Sequence, residues 1–300
     1  MLLSQVVKEL TGELISDGEF DRIAFATDEI QEPFLTFMQD EKYLSSLQNP
    51  WISCVIVNKE LLSQIPKHIK GVFVCKNPKY ILLCIHNCLA ENASYAGENV
   101  QTTIGESSII SPLAYVDTTN VHIGNNVVIE PFVCIKGRVT IEDNVIIKSG
   151  SSIGCDGFVF ATDENNKNAN VKTLGKIVIH KDVKIFENVL ISTSTFPWEV
   201  TEIGENTKID VSCFIAHGSR IGQNSLIIAG AICCGNVIVE ENVRIGPNAV
   251  IANRIHIGKN ARISLGAVVT KNVEEGQTVS GNFAIAHRKF MENVKKSIQD

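Results

Sequence analysis

The chain has 300 residues and a formal net charge of −6, and it is 44% hydrophobic and 20% charged. This acidic balance argues against a general nucleic-acid-binding protein, which needs a basic surface for the phosphate backbone. No apolar run approaches the ~20 residues that cross a bilayer, and the N-terminus lacks the apolar core of a signal peptide, so we expect a cytoplasmic protein without a transmembrane segment. The nine cysteines form no Cys-x-x-Cys pair, which predicts reduced core residues and no metal site.

Residues 1–98 lack a regular repeat and predict a small α/β domain. We expect helices near 3–13, 40–48 and 79–92, and strands near 23–27, 34–38, 54–57 and 71–75. The whole chain is predicted to comprise this domain at 1–98, a second domain at 99–273 and a tail at 274–300.

A six-residue period dominates the second domain. Apolar residues recur at every sixth position in two blocks: Ile123, Ile129, Ile135, Ile141, Ile147 and Ile153, then Ile203, Ile209, Ile215, Ile221, Ile227, Cys233, Val239, Ile245, Ile251, Ile257, Ile263 and Val269. This period fits neither an α-helix nor an ordinary strand, but it is typical of a β-helix in which each hexapeptide forms one short strand and one turn. Three hexapeptides close a triangular coil. The sequence therefore predicts a mainly β protein: a left-handed parallel β-helix, with a small N-terminal α/β domain and a short C-terminal helix.

Two segments interrupt the period, and we expect both to be loops that leave the β-helix. The longer covers 155–175 and has a middle rich in Asn and Lys, whereas the shorter surrounds Pro197. Loops on a rigid scaffold commonly carry binding residues, although a solenoid also tolerates insertions without function. The basic tail is predicted to form a helix that caps the end of the β-helix.

His217 is the candidate catalytic base. It follows the inward-facing Ile215 by two residues, which places it at an outward-pointing corner with a small neighbour on each side. An imidazole titrates near neutrality and can take a proton from an amine that attacks a thioester. Gly235 lies three hexapeptides further on and should stack one coil above, where its open N–H would stabilise the oxyanion. A plain surface histidine is the alternative interpretation.

Several motifs resemble one enzyme family. The run GCDGFVFA at 154–161, Leu174-Gly175 before a Val/Ile strand, and Phe214-Ile-Ala-His217 are similar to UDP-3-O-(3-hydroxyacyl)glucosamine N-acyltransferases of the lipid A pathway. Segments 35–43 and 76–80 resemble the uridine-binding domain of that family. The resemblance implies a homotrimer with active sites at the subunit interfaces, acting on a nucleotide-linked amino sugar for lipid A or another surface glycan.

The resemblance also implies roles for single residues near the base. It places the family's catalytic histidine at His217 and its oxyanion glycine at Gly235. Asp210 matches a family Asp that would orient the histidine, and a turn-stabilising Asp is equally consistent with its position.

Five aromatic or acidic residues are candidates for substrate binding. Phe37 and Tyr43 match the aromatic residues that hold the uracil, since a flat base packs well between rings; core packing is the alternative for Phe37. Asp40 stands where the family usually has Asn. Phe158 and Phe160 belong to the GCDGFVFA motif.

Arg254, Lys271 and Arg288 are candidates for donor binding. The C-terminal repeats resemble those of acetyltransferases that use coenzyme A, so we expect a thioester donor on coenzyme A or on the phosphopantetheine of an acyl carrier protein, with no other cofactor. Arg254 stands where the family has a second histidine, and residues 192–198 replace a family Asp-Arg-Gly segment. Because of these departures, the sequence does not identify the sugar, the nucleotide or the acyl chain of the substrates.

Two other functions fit the same fold. One is a non-catalytic scaffold or sugar-nucleotide-binding protein. The other is a zinc enzyme of the γ-carbonic-anhydrase type, which needs three histidines at matched positions of the coils. His180 and His217 are 37 residues apart, which is not a multiple of the 18 residues in one coil, although the insertion at 195–200 disturbs this count. The spacing therefore disfavours the zinc enzyme.

Overall fold

The computed structural model describes residues 1–281 and 284–298, which divide into two compact units. The first unit contains Met1–Asn99, Asp156–Gly175 and Ser194–Glu199, and the second contains Val100–Cys155, Lys176–Thr193 and Val200–Asp300. Both insertions therefore group with the N-terminal unit, which differs from the continuous domain expected at 99–273. The physical reason is packing, because the insertions supply apolar side chains such as Phe196 to the core of the first unit.

The first unit is built on a five-stranded sheet. Its strands, in spatial order, are Glu13–Ser16, Gly71–Val74, Ile52–Val57, Phe34–Met38 and Arg22–Ile23, and all neighbours are parallel except the first pair. Its helices are Leu3–Val6, Pro78–Leu89 and Ala93–Ala96, with 3-10 helices at Glu41–Gln48 and Lys59–Gln64; strands Phe160–Thr162 and Asn168–Asn170 form a hairpin. The helix expected at 3–13 is wrong. It ends at Val6, and the chain runs through Gly12, a residue that disfavours helix interiors, into the edge strand.

The second unit is the predicted left-handed parallel β-helix, with three faces. The first face contains Thr103–Ile104, Val121–Ile123, Val139–Ile141, Lys176–Ile179, Val200–Ile203, Arg220–Ile221, Ile238–Val239 and His256–Ile257. The second contains Ile109–Ile110, Val128–Ile129, Ile146–Ile147, Lys184–Ile185, Lys208–Ile209, Leu226–Ile227, Arg244–Ile245, Arg262–Ile263 and Thr278–Val279. The third contains Tyr115–Val116, Cys134–Ile135, Ser152–Cys155, Leu190–Ser192, Phe214–Ile215, Ile232–Cys233, Val250–Ile251 and Val268–Val269. The second face thus continues past the expected end at 273, and helix His287–Ile298 follows.

The predicted register holds through both insertions. Ile215 pairs with Cys233 and Cys233 with Ile251, so residues three hexapeptides apart stack directly. Across the insertions Ile153 still pairs with Ile191, and Ile191 with Ile215. Between Val121 and Val273 the inward side chains are buried and form one continuous apolar core, where each Ile contributes about 1.5–3 kcal/mol of hydrophobic stabilisation.

Left-handed backbone conformations occur at the corners, as expected. Among the described residues, ten asparagines at the corners of the β-helix have positive φ: Asn120, Asn126, Asn144, Asn188, Asn206, Asn224, Asn236, Asn242, Asn248 and Asn260. Asn tolerates this region better than other side chains because it can hydrogen-bond locally. In the described part of the chain, none of the helices has the length and apolar character needed to cross a membrane.

Candidate active site

The candidate site lies on one edge of the β-helix, which we name the His217 corner. It consists of the turns in which a third-face strand leads into the next first-face strand, and three successive turns carry His217–Gly218, Gly235–Asn236 and Asn253–Arg254. In the two coils below, the chain leaves the β-helix at this same corner, after Cys155 and after Thr193. Both insertions therefore depart from the edge that bears His217.

His217 and Gly235 are in direct contact across neighbouring coils. A Cβ atom built on Gly235 would lie 2.5 Å from Nε2 and 2.6 Å from Cε1 of His217. The imidazole therefore rests against the bare Cα of the glycine, in space that a side chain would fill. The predicted stacking of these two residues is confirmed, and it gives a steric reason for glycine at this position.

The environment of His217 keeps its imidazole neutral. Burial lowers the pKa of His217 from its usual value, and the positive charge of Arg254 lowers it further. Within residues 1–281 and 284–298, no group is hydrogen-bonded to the ring. A neutral imidazole with a nitrogen lone pair that is not engaged is able to accept a proton.

The backbone N–H of Gly235 is occupied, which corrects the expectation of an open oxyanion donor. It donates to Oδ1 of Asn253 at 3.0 Å. Asn253 occupies the same place in the next coil, so its side chain reaches back by one strand spacing. The same link joins the Asn125 N–H to Asp143 Oδ1 at another corner, so it is a structural feature of these turns.

Asp210 does not orient His217. One carboxylate oxygen accepts from the Val211 N–H at 2.8 Å and the other from the Ala229 N–H at 3.2 Å. These bonds lie at the preceding corner of the coil, between strands Lys208–Ile209 and Phe214–Ile215, where Asp210 stabilises its own turn and the turn above. Of the two interpretations from sequence, the turn-stabilising Asp is therefore the one that these bonds support.

Arg254 belongs to the His217 corner and has a strained backbone. Its N–H donates to the Gly235 carbonyl at 3.0 Å, and its φ is 61°. The equivalent residues of the two coils below are Gly218 and Asn236, which adopt this conformation more easily. An arginine there costs roughly 1–2 kcal/mol. Arg138 occupies the equivalent turn of a lower coil with φ 65°.

Of the residues predicted to bind the acyl donor, Arg254 and Lys271 lie at the same corner, and Arg288 lies elsewhere. Lys271 occupies the turn after Asn253–Arg254 and lines a cleft of about 290 Å³ at the end of the β-helix, so it belongs to the same corner as Arg254. Arg288 lies in the tail helix and pairs with Glu292 at 3.3 Å. No contact in the described ranges brings Arg288 to the His217 corner.

Three residues of the first unit were predicted to bind the nucleotide base, and two of them already contact other protein groups. Phe37 packs edge-to-face on Phe25, with 6.1 Å between the ring centroids, so the core-packing alternative describes it. Asp40 caps the following 3-10 helix through the Lys42 N–H and pairs with Lys42 Nζ at 2.8 Å. Tyr43 is 43% exposed, with Lys42 Nζ over its ring, and it is the member of this group with a face available for a base.

Phe158 and Phe160 form an aromatic pair in the longer insertion. Their ring centroids are 4.8 Å apart, and Phe158 is 93% exposed. Such an exposed ring contributes little to folding and is available for a ligand or partner.

Asn253 was missed by sequence reasoning. Its signal was present, because it lies three hexapeptides after Gly235 and six after His217 in the same column. An Asn in a corner turn nevertheless looks like an ordinary turn former, and the side-chain contact to Gly235 could not be read from spacing.

The described residues do not form a metal site. Among the described residues, no three His, Cys, Asp or Glu side chains come together as a metal site would require. His180, the histidine considered for zinc, instead lies between Glu142 and Glu202, at 3.0 and 2.7 Å.

Comparison with known families agrees with this architecture. The model of the bacterial transferase hexapeptide (six repeats) matches residues 120–155 and 236–271. These two segments of the β-helix therefore match bacterial transferase hexapeptide repeats. Among solved structures, it resembles the UDP-N-acetylglucosamine acyltransferase from Campylobacter jejuni, with a TM-score of 0.54 and 25% identity over 60% of this chain and 68% of that one.

Two curated relatives carry the name expected from the motifs. A UDP-3-O-acylglucosamine N-acyltransferase of Helicobacter hepaticus is 30% identical over 178 residues, covering 54% of each chain. The enzyme of the same name from Coxiella burnetii is 27% identical over 182 residues, covering 52% of each chain. The resemblance predicted from sequence is confirmed, and the hexapeptide-repeat chain spans about half the length of these relatives.

Proposed function

We propose that this hexapeptide-repeat protein transfers an acyl group from a thioester to the amino group of a nucleotide-linked amino sugar. The observation that carries the proposal is the neutral imidazole of His217, held against Gly235 at the edge of the β-helix. The names of the two curated relatives support the same reaction class.

The chemistry needs one base and one charge stabiliser. The amine attacks the thioester carbonyl, and His217 removes a proton from the attacking nitrogen, so a C–N bond forms and a tetrahedral oxyanion develops. The C–S bond then breaks, and the proton moves from His217 to the departing thiolate. The products are an amide and a free thiol.

A homotrimer is part of the proposal, and the third face supports it. Its outward row is largely apolar along the β-helix, and it includes Tyr115, Leu190 and Val268, which are 57%, 43% and 59% exposed. Phe214, Ile232 and Val250 continue this row. A largely apolar row of this length is typical of a surface that another subunit covers. A second copy of the chain would place a neighbour beside the His217 corner.

Two acyl donors and several amino-sugar acceptors remain compatible with the site. Arg254 and Lys271 at one corner suit the phosphates of coenzyme A or of a phosphopantetheine arm. The exposed ring of Tyr43 offers a surface for a base. A non-catalytic sugar-nucleotide-binding protein is the second candidate, and the occupied N–H of Gly235 is the observation that favours it.

The deciding experiment measures free thiol. Purified protein is incubated with UDP- and dTDP-linked amino sugars, each with acetyl and 3-hydroxyacyl thioesters on coenzyme A and on acyl carrier protein. Acyl transfer predicts thiol release that depends on the amino sugar and falls ~10²–10⁴-fold in His217→Ala. The binding-protein candidate instead predicts nucleotide binding, by calorimetry, without thiol release from any pair.

A further inference from the structure

We infer that Thr201 is a positioning residue for the candidate base, because its buried hydroxyl holds the turn that carries His217. This inference rests on the proposed acyl transfer and adds a residue that acts through His217 without touching the substrate. The contacts that carry it all lie within the second unit, the β-helix.

The corner turns of the β-helix are commonly tied to the coil below by a backbone hydrogen bond. The residue with positive φ donates its N–H to a carbonyl 19 residues earlier, as Asn236 does to His217 at 2.8 Å and Asn224 does to Glu205 at 2.9 Å. A backbone N–H that is shielded from water needs a partner of this kind. Each of these turns is therefore held in place by the coil beneath it.

The turn that carries His217 is tied to the coil below in a different way. Gly218 is its residue with positive φ, at 67°. In the coil below, the chain leaves the β-helix at this corner, and residues 194–199 stand in place of an ordinary turn. The Gly218 N–H donates to Oγ1 of Thr201 at 2.9 Å. A side-chain hydroxyl thus replaces the carbonyl that the shorter insertion removes from this corner.

The hydroxyl of Thr201 is itself held in one orientation. Thr201 is fully buried, and its Oγ1 donates to the Ser192 carbonyl at 2.9 Å, so a lone pair of the oxygen is left to accept from Gly218. Burying a hydroxyl is unfavourable unless it is hydrogen-bonded. In the two coils below, the same inward position is occupied by Ile177 and Val139. An apolar residue therefore satisfies the packing at this position, and the hydroxyl serves the turn.

His217 is consequently held from two sides. The coil above contacts its ring, since a Cβ on Gly235 would lie 2.5 Å from Nε2. The coil below holds the main chain of the turn, through Thr201 and the adjacent Gly218. A reacting group must be oriented before the reaction, and a displacement of about 1 Å can lower a rate ~10²-fold. Loss of the Thr201 hydroxyl should loosen the turn and displace the imidazole.

Thr201→Val tests the inference, with Thr207→Val as the matched control. Thr207 is also fully buried, and its Oγ1 accepts from the Ser225 N–H at 3.1 Å and donates to the Gly222 carbonyl at 2.8 Å. It holds a turn at the corner between the first and second faces, away from His217. Both variants lose two bonds of one buried hydroxyl, so we expect both to fold with similar changes in melting temperature. Thr201→Ala is a second variant that removes the hydroxyl without adding a methyl group.

The activity of these variants separates positioning from general stability. With the reactive amino-sugar and thioester pair from the thiol-release panel, kcat should fall about 10–10²-fold in Thr201→Val and stay at the wild-type level in Thr207→Val. KM should change little, because Thr201 is fully buried. Thr201→Ser keeps the hydroxyl and should restore most of kcat. An undiminished kcat in Thr201→Val, or an equal fall in Thr207→Val, overturns the positioning role and leaves the acyltransferase intact.

A second measurement needs no substrate. NMR signals of the His217 ring, assigned by their loss in His217→Ala, should shift in Thr201→Val and keep their wild-type positions in Thr207→Val and Thr201→Ser. Unchanged His217 signals in Thr201→Val would overturn the inference, whatever the activity shows. Absence of thiol release from every pair in the wild type would overturn the proposed function, and the NMR comparison would still decide whether Thr201 positions the histidine.

Discussion

The imidazole of His217 occupies the space that a side chain on Gly235 would need, since a Cβ there would lie 2.5 Å from Nε2. The two residues come from neighbouring coils, three hexapeptides apart. The regular stacking of the β-helix therefore controls the position of the candidate base, and the packing of one corner can be altered without touching the core.

Gly235→Ala should displace the base without unfolding the protein. The new methyl group meets the end of a side chain that can rotate away, so we expect a folded protein whose kcat falls by at least ~10²-fold, the contribution of a general base. Circular dichroism and thiol release measure the two effects. Gly281→Ala is the control, because a Cβ there meets no atom of the described residues within 4 Å. Wild-type activity in Gly235→Ala would contradict the role of this contact.

The pH dependence of kcat/KM should report the lowered pKa of His217. Burial and Arg254 hold this pKa below the usual 6.5, and the base acts in its neutral form. Activity should therefore persist as pH falls to 6.5, where more than half of the base is still neutral, and should decline below that. Initial rates from about pH 5 to pH 8.5 would define the midpoint. A midpoint above 6.5 would show that another group limits the reaction.

His180 should stabilise the β-helix more in acid than in base. Burial lowers the pKa of His180, but the bonds to Glu202 and Glu142 outweigh it, so the folded pKa lies above the usual 6.5. A raised pKa adds stability that is fully present below the unfolded pKa and is lost as pH rises through the folded one. Urea denaturation of His180→Gln should therefore show a larger loss of unfolding free energy near pH 5.5 than near pH 8.5. Equal losses at both pH values would refute the ion-pair explanation.

Phe196 should be essential for the first unit, although it lies in an insertion. Its side chain is fully buried, stacks on Trp198 and packs edge-to-face on Phe25 and His86. Phe196→Ala should therefore cost about 3–5 kcal/mol of unfolding free energy, as for other buried aromatic residues. Chemical denaturation monitored by Trp fluorescence measures it. Phe158→Ala should be close to neutral, because that ring is 93% exposed.

The sequence was informative wherever one interaction repeats along the chain. The column that contains Ile215, Cys233 and Ile251 is visible as an apolar period, because every coil buries its inward side chain in the same way. The same period also predicts that His217 stacks beneath Gly235. The prediction of a helix at 3–13 was wrong, because residues 1–98 have no repeat and the helix ends at Val6, before Gly12.

By itself, the sequence determined the β-helix, its register and the stacking of His217 on Gly235, since these follow from a periodic burial pattern that local turns preserve. Only the tertiary structure decided which polar groups are already engaged. It showed that Asn253 occupies the Gly235 N–H, that backbone amides hold Asp210, and that Phe196 packs into the N-terminal core. These facts depend on where individual side chains reach in space, and hydrogen bonds and packing contacts of that kind leave no period in a sequence.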